Sequence, residues 1–165
     1  MFELKSLSRE AIPAAMERVE RYRLLNEPRS AASICRDILQ VESDHHEAQI
    51  HLILSLTDQF SETLQSFQEA RDAAAALGAE YDREYYSGIV CERRAYAQLG
   101  RGAPGSGCVV YEQLRDAMDA YDRAEKVRPP ENDDAILRWN TCARVIMDHE
   151  NIRPEEVATA PLQLE

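Results

Sequence analysis

Apolar residues along the chain recur at steps of three and four, and no stretch alternates long enough to suggest a strand. "PRSAASICRDILQ" places Ala31, Ile34, Cys35, Ile38 and Leu39 on one stripe, with Pro28 at a first helical position behind Asn26 or Glu27. "SDHHEAQIHLILSL" follows. Asp44 and Glu47 have capping-box spacing, and Ile50, Leu52, Ile53, Leu54 and Leu56 cover most of the circumference. A helix apolar on so many sides is expected between other helices. "SETLQSFQEARDAAAALG" turns Leu64, Phe67, Ala70, Ala74 and Leu77 inward and stops at Gly78. "AEYDREYYSGIVCERRAYAQLG" is a long helix to Gly100. Gly88 inside it costs about 1 kcal/mol relative to alanine and marks a close contact or a bend.

Two more helices complete the pattern. "VYEQLRDAMDAYDRAEKV" aligns Leu114, Ala117, Met118, Tyr121 and Ala124 and ends at Pro129 and Pro130. "ENDDAILRWNTCARVIMDH" has Asn132 as cap and Ala135, Ile136, Trp139, Cys142, Ala143, Ile146 and Met147 inward. At the front, "SREAIPAAMERVERYRLLNE" is a helix that Pro13 either kinks or begins. The expectation is an all-α domain over 1–150 with a glycine-rich insertion at 100–109. From Asn151 to Glu165 no stripe repeats, and a flexible tail is expected.

Internal repetition sharpens this. "LQVESDHHEAQIHLIL" and "EKVRPPENDDAILRWN" share a helix end, a polar turn, an alanine (Ala48, Ala135) and an apolar helix. Ala95, Tyr96, Leu99 and Gly100, then Ala117, Tyr121, Ala124 and Pro129, resemble one unit of the tetratricopeptide repeat family. Tyr22, Ala31 and Val41 resemble an earlier unit, with Ile38 and Ser43 departing from the pattern. Phe67 and Ala70 resemble another whose turn is short, and Arg93 stands where a small residue belongs. The resemblance implies an α-α superhelix of about three hairpins and a C-terminal capping helix.

The resemblance also implies a non-enzymatic module that binds a peptide or protein segment in a concave groove lined by the first helix of each pair. Mapped onto this chain, the groove comprises Glu20, Arg23, Leu54, Asp58, Val90, Arg94, Gln98, Leu137, Arg138, Thr141 and Arg144. Arg94, Arg138, Thr141 and Arg144 would form a basic half-groove suited to carboxylates; the competing reading pairs these arginines with acids such as Glu92 or Asp148. Met16 and Glu20 stand where chaperone-tail-binding members carry basic residues, which speaks against that mode. Other readings are a small acidic bacterial secretion chaperone of the repeat type, a self-associating homodimer, and an enzymatic or small-ligand-binding helical domain with an enclosed pocket.

Charge and candidate chemistry narrow the partners. The 165 residues have 44% hydrophobic and 30% charged content and a net charge of −11. That balance disfavours nucleic acid and anionic membranes, and it would steer a basic or polar peptide favourably. No apolar run spans a bilayer, and "MFELKSLSRE" has no secretory pattern. Cys35, Cys91, Cys108 and Cys142 lack CxxC pairing and read as reduced thiols of a cytoplasmic protein. "GAPGSGCV" (102–109) resembles a phosphate-binding loop but lacks its lysine, its hydroxyl and a preceding strand, so it reads as an insertion carrying an accessible Cys108. His45, His46 and His51 find no ligand set at familiar spacing, His149 is isolated, and neither metal nor cofactor nor catalytic residue is expected.

Overall fold

The computed structural model describes residues 2–62 and 64–155, with the Leu64 side chain excepted. The expected inward placement of Leu64 and the tail past 155 therefore lie outside the described residues. The described chain is all-α, with no strand. A 3-10 turn, Arg9–Ala11, leads into α1 (Ile12–Leu24), followed by α2 (Pro28–Val41), α3 (His46–Thr57), α4 (Leu64–Ala75), α5 (Glu80–Arg101), α6 (Gly107–Lys126) and α7 (Asp134–Asp148).

Local chemistry sets these boundaries. Pro13 lies in the first turn of α1, where its missing N–H costs nothing, so it begins the helix instead of kinking it. Pro28 does the same for α2. α3 starts one residue later than the Asp44–Glu47 spacing suggests: Ala48 N–H donates to His45 Nδ1 at 3.2 Å, so His45 is the cap. Asp133, not Asn132, occupies the cap position of α7; Asn132 lies one residue before it, its Oδ1 accepting from Asp134 N–H at 3.0 Å. α4 ends at Ala75, and Arg83 donates to the carbonyls of Leu77 (3.0 Å) and Gly78 (2.6 Å) just beyond it.

Each helix packs on the next in chain order, and α1 also meets α3, as α3 meets α5. Buried apolar residues fall into three successive clusters. The first, from α1 to α3, holds Val19, Ala31, Cys35 and Ile38. The second, from α3 to α5, holds Ile53, Leu56, Ala74 and Val90. The third, from α5 to α7, holds Ile89, Leu114, Tyr121 and Cys142. Alanines make the close approaches: Ala31, Ala48, Ala70, Ala74, Ala95, Ala117, Ala124 and Ala135 are all fully buried.

Gly88 is a contact glycine, not a bend: a Cβ there would lie 2.7 Å from Tyr121 Cδ1. The glycine-rich segment is shorter than expected. Gly100 and Arg101 remain in α5, Gly102 closes it in the left-handed region (φ 61°), and Gly107–Val109 already belong to α6. Gly107 packs so tightly on the Asn151 carbonyl that no Cβ fits, so its end of the segment is structural rather than a free insertion. Ile152, assigned to a loose tail, is buried in the third cluster. Met147, expected inward, is 79% exposed, because it falls beyond the arc of α7 that Ala135 and Cys142 bury.

Candidate functional site

Asp58, directly after α3, accepts from Arg23 Nε and Nη2 at 3.2 and 3.1 Å. Arg93 Nη1 donates to the other Asp58 oxygen and to Thr57 Oγ1 (3.2 Å). A single carboxylate thus ties α1, α3 and α5 together. A carboxylate at a helix C-terminus opposes the macrodipole, and two guanidiniums offset that cost. Arg93 stands where the repeat pattern has a small residue; its length is what reaches Asp58.

A second polar group is internal. Glu92 is 1% exposed. It accepts from Tyr121 O–H at 2.5 Å and from Arg138 Nη1 at 3.1 Å, joining α5, α6 and α7. Burial and the neighbouring Glu92 charge raise the Tyr121 and Tyr96 hydroxyls well above the usual phenol range, so both stay protonated donors. Burial opposes the Arg138 charge, but Glu92 and a hydrogen bond with Tyr85 outweigh it and hold the guanidinium above its ordinary value.

The expected groove residues separate. Arg23 and Asp58 do meet. Leu54 is partly buried against the third cluster. Val90 lines no groove: it is 1% exposed, packed in the second cluster. The basic half-groove does not assemble. Arg138 is held by Glu92. Arg94, about 200° around α5 from Glu92, lies 3.8 Å over the Phe67 ring of α4. Gln98 shares that side. Leu137, Thr141 and Arg144 are exposed on α7, with Thr141 Oγ1 donating to the Leu137 carbonyl at 2.9 Å.

The histidines have distinct surroundings. His45 caps α3, and His46 Nε2 lies 3.5 Å from Asp82. His51 does gain acidic company: its ring and the carboxylates of Glu20 and Glu47 bring donor atoms within 4.8 Å of one another. Helix spacing hides this, because Glu20 arrives from α1. Burial, then the Arg23 charge, holds His51 below its ordinary pKa against the pull of Glu47 and Glu20. Glu92 was legible in one respect: it interrupts the stripe Tyr85, Gly88, Ala95 and Leu99, and an acid on a buried stripe requires partners. Burial pushes the Cys35 and Cys142 thiols up to about 12, which leaves them inert. No protein-family model matches the chain, and neither a curated protein nor a solved structure shows detectable similarity to it.

Proposed function

We propose that the protein is a non-enzymatic helical-repeat module of the tetratricopeptide type, which takes an extended basic or polar peptide along the side made by α1, α3 and α5. The observation that carries this reading is the lateral contact of alternate helices: α1 meets α3 and α3 meets α5, with Asp58 tying the three. Such a row is what the first-helix face of stacked hairpins would present. Among the described residues, Glu20 and Glu47 form no ion pair and are exposed around the half-buried His51, and Leu24 is 88% exposed. The net charge of −11 adds long-range attraction for a cationic segment.

Selection from a random displayed-peptide library tests this, followed by fluorescence anisotropy with the selected peptides. Lysine- and arginine-rich sequences are expected to dominate and to weaken with added salt. Reversing Glu20 and Glu47 to arginine should weaken binding by roughly tenfold or more. Reversing Glu112 and Glu125, exposed on α6, should leave it nearly unchanged. Enrichment of acidic peptides, or equal loss from the α6 reversals, would overturn the reading.

A further inference from the structure

A small pocket opens on the other side of α5, between α4 and α6. Its volume is about 110 Å³, room for several water-sized groups. Arg94, Gln98 and Arg101, at helical steps of four and three, form one wall. Phe60, Phe67 and Val109 supply apolar surface, Gln113 reaches in from α6, and no carboxylate is among the lining residues described.

Arginines elsewhere divide into two groups: Arg18, Arg21, Arg71, Arg83 and Arg144, none of them lining this pocket, form no ion pair among the described residues, and others are held by acids. Arg23, Arg29, Arg36, Arg93, Arg123 and Arg138 each pair with a carboxylate. Among the described residues, Arg94 and Arg101 form no ion pair, although the chain carries 30 acids against 19 basic residues. Both are positioned without one. The Arg94 guanidinium rests on the Phe67 face at 3.8 Å, which leaves its N–H edge free. Arg101 Nη2 donates to the carbonyls of Phe60 (3.0 Å) and Ser61 (3.2 Å), leaving Nε and Nη1. Two pre-positioned cations and an apolar rim match a carboxylate on a short hydrocarbon body.

We infer that this pocket binds a small aliphatic carboxylate. The carboxylate takes the Arg94 and Arg101 N–H groups, and the alkyl body lies on Phe60 and Val109. The site stands apart from the proposed peptide face, since Arg93 points to Asp58 and Arg94 to Phe67.

Calorimetric titration of the full chain with isovalerate tests the inference, with isovaleramide and inorganic phosphate as comparison probes. Saturable one-to-one binding of the acid is expected. The amide should bind at least roughly tenfold more weakly, and so should the acid to Arg94→Lys and Arg101→Gln. Arg94→Lys keeps the charge over Phe67 and loses the guanidinium fork; unchanged circular dichroism would show that it still folds. No saturation by about 10 mM, equal binding of the amide, or indifference to both arginine substitutions would overturn the inference. So would tighter binding of phosphate, or of a glutamate-containing peptide.

Discussion

Gly88→Ala and Gly100→Ala make a matched pair within α5, because the same change meets opposite surroundings. On propensity alone, either replacement stabilises a helix interior by about 1 kcal/mol, less near the end where Gly100 sits. A Cβ at Gly100 meets nothing within 4 Å. At Gly88 it meets the Tyr121 ring, 2.7 Å from Cδ1 and 2.9 Å from Cζ, where carbon atoms normally keep about 3.5 Å or more. That ring cannot withdraw freely. It is 1% exposed, its hydroxyl holds Glu92 at 2.5 Å, and the Tyr85 ring lies 5.9 Å away. Overpacking of this kind costs about 1–3 kcal/mol, and a displaced hydroxyl loses about 1 kcal/mol of hydrogen bonding. After the propensity gain, Gly88→Ala should be destabilised by about 1–3 kcal/mol, and Gly100→Ala should be neutral or slightly stabilised. Urea unfolding followed by far-UV circular dichroism reads the difference as a midpoint shift at constant slope. Combining Gly88→Ala with Tyr121→Leu should recover part of the loss, because the two sites share one contact. A Gly88→Ala protein as stable as Gly100→Ala would refute the close helix contact.

Arg138→Ala should destabilise the fold by about 1–3 kcal/mol, discounted for the partial exposure of the arginine, because it strips the cation from a buried carboxylate. The loss should shrink in a Glu92→Gln background, as a double-mutant cycle in urea would measure. For His51, whose folded pKa lies below the ordinary 6.5, the unfolded chain binds the proton first. Stability is therefore complete above pH 6.5 and declines as pH falls from there through the folded value. His51→Gln should flatten that limb in unfolding measurements from about pH 5 to 7.5. With an aromatic disulfide reagent, the partly exposed Cys108 should label in the native state, whereas Cys35 and Cys142 should label only on unfolding. Prompt labelling of either buried thiol would contradict their packing.

The helices were readable from the chain because each buries one stripe, and because Pro13 and Pro28 obey local backbone rules that need no tertiary partner. The alanine positions were readable for the same reason: a small residue on a stripe marks a close approach. Rotation about each helix axis was less accessible. Transferring groove positions from a repeat pattern put Val90 and Arg94 toward the open side, but the orientation of α5 follows from Arg93 reaching Asp58, Arg94 covering Phe67 and Glu92 meeting Arg138. Those contacts join separate helices, and nothing periodic announces them. The cap at His45 differs from the Asp44 reading by one residue, which depends on local geometry more than residue type. Ile152 was missed because a lone apolar residue beyond the last stripe carries no period to read.

Peptide occupancy of the α1–α3–α5 side is most directly tested by amide chemical-shift mapping during titration with a library-selected basic peptide. Perturbations concentrated at Glu20 to Leu24, Glu47 to Leu54 and the α3-facing residues of α5 are the expected outcome. Shifts confined to α2, α4 and α6 would contradict it.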